Sequence, residues 1–349
     1  TGDTLLIGEK LVGRLSKDVD PSLPVNSPWG YDSQFFWAMS QDPFMLRPQV
    51  VASLDSPSYR YQRILFPFMV WLTPGPVECL PYRLVGVNAI GWIIGFWAVI
   101  QLGDLIGVSR LSAGLFYGTN AGILFSLFHP MADLWATSWC LVGLVSWLRG
   151  HKRWACAFWM CATLTKETSA LVPASVVLFH LLQGKWRLKD NVFEVLAVTP
   201  LVIWQIIIRL HLGVWPFEQS HNNLDYPFAS IAKVLLRSLG NGDLAPSAGS
   251  AFLLGAFCFL AIVKIRAPRA ILQTLVFVHA LLLSFCGVAV MEAVRSSCRA
   301  SILFVVFFSL LLLKEARTGH RAGCLASPHD GASSSGGASH GEAPLYQLS

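Results

Sequence analysis

"RLVGVNAIGWIIGFWAVIQL", residues 83–102, is twenty residues long with one charge, at its first position. As a helix it reaches about 30 Å, the thickness of a bilayer's hydrocarbon core. It shows none of the polar/apolar alternation of a barrel strand, and in lipid only helices and closed barrels satisfy their own backbone. Comparable apolar runs, set off by charges, glycines and prolines, lie near 111–128, 132–149, 153–165, 168–183, 192–212, 249–265, 270–290 and 300–314. The expected fold is therefore all-α, a polytopic transmembrane helix bundle of about nine spans. The fourth and fifth runs are too short to cross straight, which predicts thinned or broken helices meeting around Thr165–Thr168.

Composition agrees. Of 349 residues 54% are hydrophobic and 13% charged, against about 25% charged in soluble domains. A net charge of +6 would point a soluble protein towards nucleic acid. Here the basic residues sit in short loops between apolar runs, so they report topology and no nucleic-acid partner is expected. After Arg63, thirteen of them fall in alternate loops: Arg110, Arg149, Lys152, Arg153, Lys185, Arg187, Lys189, Lys264, Arg266, Arg269, Lys314, Arg317 and Arg321. Seven others (Arg83, Lys166, Arg209, Lys233, Arg237, Arg295, Arg299) lie opposite or within spans. The positive-inside rule makes the first set cytoplasmic. Residues 1–82, Lys166 with Glu167, the loop 213–248, and Arg295 with Arg299 then share the outer face.

Three regions follow. Residues 1–82 form an extracytoplasmic first loop with interfacial helices, 83–314 the bundle, and 315–349 a disordered cytoplasmic tail too rich in Ser, Gly and Ala to bury a core. No signal peptide is visible, and the sequence leaves open whether a first transmembrane helix precedes Thr1. The cysteines lack CxxC spacing and nearby histidines, so neither a zinc site nor a disulfide framework is indicated.

The chemistry-bearing residues cluster on the outer face. In "GYDSQFFWAMSQDPF" (30–44), Tyr31, Phe35, Phe36, Trp37 and Phe44 suit a headgroup boundary, and "ILFPFMVWL" (64–72) is long enough to lie in the interface. Asp32 and Asp42 can both be ordinary helix caps, and Asp42 before Pro43 reads as one. Arg60 and Arg63, three apart, share a helix face and would attract lipid phosphates in general or bind the phosphate of one lipid bidentately. Lys166 and Glu167 stand between two short apolar segments, where ionisable groups line cavities or pair. Adjacent on a helix, they point about 100° apart, so each is expected to have its own partner. Glu292, Arg295 and Arg299 make one stripe that either holds an anionic ligand or closes an internal ion pair. Asp133 reads as a helix cap, the His129/Asp133 spacing being weak evidence for a metal. His221 reads as solvated.

"GYDSQFFWAMSQDPF", then "SPSYRYQRILFPFMVWLTPG" (56–75) and "TKET" (165–168), resembles the GT-C class of integral membrane glycosyltransferases. It is closest to bacterial multi-pass proteins linked to cell-surface glycopolymer formation. Ser33 replaces a glycine usual in the first motif. The resemblance, confined to about residues 27–75 and 163–173, implies a GT-C-like bundle in the bacterial inner membrane. It also implies a polyprenyl-phosphate-linked sugar as donor, a glycan or lipid acceptor, inversion at the sugar carbon, and a site facing the extracytoplasmic side. Asp32 matches the catalytic base and Gln34 stays beside it. Arg60, Tyr61 and Arg63 match the motif near the donor, and Lys166 and Glu167 the later motif. Some members use a divalent metal cation near the aspartate, for which no second ligand is evident here. Two other readings stand beside this one: a transporter or flippase of a lipid-linked saccharide, and a non-catalytic scaffold among polysaccharide assembly subunits.

Overall fold

The computed structural model describes Gly8 and residues 30–220, 223–240, 246–265 and 268–325, with side chains as far as 318. The regular elements among the described residues are helices, and an isolated bridge joins Leu224 to Cys286. Four short helices lead: α1 (Asp32–Met39), α2 (Pro48–Ser53), α3 (Pro57–Tyr61) and α4 (Leu65–Leu72). There follow α5 (Leu80–Ile106), α6 (Arg110–Gly118), α7 (Ala121–Phe128), α8 (Ala132–Leu148), α9 (Lys152–Thr165), α10 (Leu171–Leu182), α11 (Val192–Leu196) and α12 (Thr199–Leu212). The chain closes with α13 (Ala229–Gly240), α14 (Pro246–Lys264), α15 (Ile271–Ser284), α16 (Val288–Met291), α17 (Val294–Ala300) and α18 (Ile302–Leu325).

Every expected apolar run is largely helical, but those at 111–128, 192–212, 270–290 and 300–314 are interrupted and the lengths differ. By length and composition three helical stretches, Val77–Ile106, Val192–Leu212 and Pro246–Lys264, can cross a membrane. The number is five if α6 with α7 (bent 55°) and α17 with α18 (bent 61°) each form one span. Ala132–Leu148, Glu167–Leu182 and Ile271–Ser284 are shorter apolar helices, and α9 has 14 residues. Helix α8 is the axis of the bundle. Packed between α5 and α9, it buries fourteen of its seventeen residues, so its apolarity reflects protein contact as much as lipid. By contrast α12 exposes Ile203, Ile206, Ile207 and Leu210, and α14 exposes Phe252, Leu253 and Phe259. Such faces belong in a hydrocarbon solvent.

Charge segregates along the bundle. Arg110 pairs with Asp104, Arg149 bonds Gln101, Lys152 donates to the Asp190 carbonyl and Arg317 to that of Gly107. Of the loops expected to share one face, those at 104–110 and 317 and those at 149–153 and 190 are tied together in this way.

Two expectations about the leading segment need correction. Phe35, Phe36 and Trp37 are buried, packed with Tyr61, Phe66, Leu84 and Trp135 in a second core, because α1 lies against α4 and α5. Of the expected aromatics Phe44 is exposed, and it packs at the surface with Trp71 and the half-buried Phe68. Asp42 does accept backbone N–H groups, from Leu46 and Arg47 at 2.9 and 2.6 Å, but it caps a turn, since the helix begins only at Pro48. At the far end α18 continues to Leu325, past the expected boundary at 314, and the rest of the tail lies outside the described residues, as does His221.

Candidate functional site

Gly30, at φ +66°, turns the chain into α1 in a conformation that residues with a Cβ disfavour. It delivers Tyr31 and then Asp32 in the helix's first turn, where the macrodipole favours an anion. Helix α3 starts at Pro57, a residue suited to a first helical position. It is fastened from outside by the Gln219 side chain accepting Ser58 N–H at 2.9 Å and by Trp204 Nε1 donating to the Tyr61 carbonyl at 2.7 Å. That anchoring aims Arg60 and Arg63 inward. Helix α9 ends at Thr165. Lys166 is extended (φ −156°, ψ 127°), and a 3₁₀ turn over Glu167–Ala170 leads into α10, the break anticipated from the two short runs. Helix α17 approaches α7 so closely that a Cβ on Gly122 would strike the Cys298 carbonyl oxygen, and this contact sets Arg299 in place.

These segments converge on a cavity of about 490 Å³. One wall is ionic. Arg60 Nη1 donates to Asp32 Oδ1 and Arg299 Nη1 to Asp32 Oδ2, both at 2.9 Å. Arg299 also reaches Tyr31 Oη at 2.9 Å and grips Asp133 Oδ2 through Nε (3.1 Å) and Nη2 (2.7 Å). Lys166 Nζ lies 2.5 Å from Asp133 Oδ1. Arg63 holds Glu167 bidentately at 2.7 and 3.0 Å and donates to Tyr59 Oη at 2.7 Å. Phe217, Leu224, Leu282, Cys286, Ala289 and Val290 contribute an apolar wall. Lys166 and Glu167 thus have separate partners, as expected, although it is the extended break at Lys166 and not a shared helix that turns them apart.

The lining carries four cations, Arg60, Arg63, Lys166 and Arg299, against three carboxylates, Asp32, Asp133 and Glu167, leaving one unit of positive charge. Asp55 also bonds Arg60 but stands outside the lining. Burial by itself would raise the Asp32 carboxyl, but Arg60 and then Arg299 outweigh it and hold the group well below the usual carboxylate range. Arg60, though buried, is held above its ordinary value by Asp32 and Asp55.

Four readings change. Gln34 does not line the cavity; its side-chain oxygen accepts the Gly8 N–H at 2.9 Å. Tyr61 is fully buried, with its hydroxyl donating to the Asp42 carbonyl at 3.0 Å, so it braces the leading segment. Arg295 lies exposed at the rim, its guanidinium 4.5 Å over the Tyr31 ring. The predicted stripe is broken because α17 begins at Val294, and Glu292 pairs with Arg237. Asp133, expected as a cap, makes no cap bond and is the hub of two ion pairs. The signal was in the sequence, since a carboxylate within an apolar helix should have a cation for the same reason that Lys166 should have an anion. The phenol groups of Tyr31 and Tyr59 were not anticipated.

A divalent cation fits poorly beside Asp32, because both carboxylate oxygens already face guanidinium groups, and among the described residues no three His, Cys, Asp or Glu side chains gather into a ligand set. Comparison of the chain with protein-family models, with curated proteins and with solved structures gives no match.

Proposed function

We propose that this chain is a membrane glycosyltransferase moving a sugar from a polyprenyl-phosphate-linked donor to a glycan or lipid acceptor on the outer face, with Asp32 as general base. One observation carries the reading: a carboxylate from the leading segment, bonded to Arg60 and Arg299, shares with four cations from three separate parts of the chain the lining of a single cavity that also has an apolar side. Such a cavity suits a ligand with an anionic phosphate and a hydrocarbon tail. In the proposed reaction the acceptor oxygen bonds the anomeric carbon and the bond from that carbon to the phosphate oxygen breaks. Its electron pair stays on the phosphate, and the acceptor proton passes to Asp32. Arg60, Arg63, Lys166 and Arg299 would stabilise the departing phosphate, as preorganised charge does where negative charge develops. General-base help is worth about 10²–10⁴ in rate.

The test is sugar transfer by purified protein in liposomes supplied with radiolabelled polyprenyl-phosphate sugars, comparing wild type with Asp32→Asn. Transfer by wild type and none by the variant is expected. Full transfer by Asp32→Asn removes Asp32 from the chemistry, and no transfer by either protein with any donor removes the enzymatic reading. The helix break at Lys166 also suits a carrier, since discontinuous helices line many transport sites. Counterflow of a lipid-linked saccharide without covalent transfer would select that alternative.

A further inference from the structure

Asp133 belongs to none of the three motifs that suggested the site, yet it is the most deeply buried charge in it, with its side chain 3% exposed. Both of its oxygens are committed, and to cations from different parts of the chain. Oδ1 takes Lys166 at the break between α9 and α10, and Oδ2 takes the Nε/Nη2 edge of Arg299 on α17. The edge so held leaves Arg299 Nη1 as the donor that faces Asp32 and Tyr31. Lys166 is used once. Among the described residues Asp133 is its one acceptor, and an ammonium has three N–H groups. Lys166 and Arg299 both line the cavity.

We infer that Asp133 is a positioning residue which fixes Lys166 and Arg299 as a two-cation receptor for a phosphate group, and that the bound phosphate replaces Asp32 as the acceptor of Arg299 Nη1. The inference rests on the proposed function for its ligand class but not for its test. Asp133 keeps hold of Nε and Nη2 throughout, so the exchange happens at one nitrogen and needs no movement of α17. Asp32 then passes from two guanidinium partners to one. The carboxylate is thereby a competitor of the ligand before it is a base for the acceptor.

An internal competitor has a signature opposite to that of a ligand-binding residue. Removing it tightens binding, whereas removing a receptor cation or its support loosens it. The experiment is binding of a polyprenyl monophosphate lacking sugar, and separately of inorganic phosphate, to purified full-length protein in nanodiscs. The proteins compared are wild type, Asp32→Asn, Lys166→Ala, Asp133→Asn and Asp133→Glu. Asp32→Asn is expected to bind the lipid phosphate about tenfold more tightly, within the ordinary range of coupling between sites. Lys166→Ala and Asp133→Asn should bind it at least tenfold more weakly, with Asp133→Glu partly restored. Inorganic phosphate should follow the same order at lower affinity, since it lacks the tail that the apolar wall accepts. Unchanged or weaker binding in Asp32→Asn overturns the exchange, and wild-type affinity in Lys166→Ala overturns the receptor. Should Asp133→Asn fail to fold, the Asp32 and Lys166 variants still decide. Because binding is read without turnover, tighter binding in Asp32→Asn together with no sugar transfer by wild type would sustain the receptor and sink the glycosyltransferase reading.

Discussion

The bond between Arg63 and Glu167 joins residues 104 apart in the chain and fastens the leading segment to the broken helix, so the cavity depends on it. At 2.7–3.0 Å and an effective dielectric near 20 the gross attraction is about 6 kcal/mol. Much of that is offset by desolvation, because the Arg63 side chain is 7% exposed while that of Glu167, at 25%, retains some water. A double-mutant cycle of Arg63→Ala and Glu167→Ala is expected to give a coupling of about 2 kcal/mol, near the upper part of the range for contacting residues. The single losses should be unequal. Glu167→Ala strands a guanidinium that keeps, among the described residues, the Tyr59 hydroxyl and ring as partners, and should cost about 3–5 kcal/mol, the range for breaking a buried pair. Arg63→Ala leaves a better hydrated carboxylate and should cost less. The measurement is reversible unfolding of the four proteins in mixed micelles by titration with a denaturing detergent, followed by tryptophan fluorescence. A coupling below about 0.5 kcal/mol, the additivity limit for independent sites, would refute the juxtaposition of the two segments.

Arg60→Gln should move the acid limb of the proposed transfer reaction. In the wild type the Asp32 pKa is depressed, so its contribution to stability is complete above its unfolded value of about 3.9 and is lost only as pH falls through a still lower folded value. The rate should therefore show no ionisation of Asp32 between pH 5 and 8. Loss of Arg60 leaves burial less opposed and shifts the limb upward, and a wild-type limb with its midpoint near pH 6 would contradict this. Tyr61→Phe removes one buried hydrogen bond and should cost about 1–2 kcal/mol in the same unfolding assay, with the KM for donor unaltered. Gly122→Ala places a Cβ against the Cys298 backbone rather than against a flexible side chain. It should destabilise by about 1–3 kcal/mol and weaken phosphate binding by displacing Arg299, and a wild-type melt together with wild-type binding would show that α17 is free to give way.

The apolar runs, their punctuation and the alternation of basic loops were legible because solvation by lipid or protein demands apolar side chains at every turn. For the same reason the break at Lys166 was readable: two apolar segments of fewer than twenty residues met at a pair of charges. Lys166 and Glu167 could be picked out as charges needing partners, Arg299 as one that needed an anionic ligand or an ion pair, and Arg60 with Arg63 as phosphate binders, whereas Asp32 stood out by the resemblance of its motif. Gln34 and Tyr61 were misplaced since a motif gives proximity along the chain and not the direction of a side chain, and both turn into packing and hydrogen bonds behind the cavity wall. Phe35, Phe36 and Trp37 were misread in a related way, because an aromatic cluster suits a headgroup boundary and a protein core equally well, and only the docking of α1 on α4 and α5 selects the core.

What the sequence determined by itself was an all-helical chain with faces that water cannot solvate, and a set of charges too costly to leave unpaired. Who pairs with whom was a tertiary decision. Arg299 and Asp133 are 166 residues apart, and their meeting depends on how closely α17 can approach α7, which is a matter of shape at Gly122 and not of charge pattern. The same geometry made Asp133 a hub in place of a cap: local rules describe the free end of its own helix, while a cation arriving from another helix competes for its oxygens and wins.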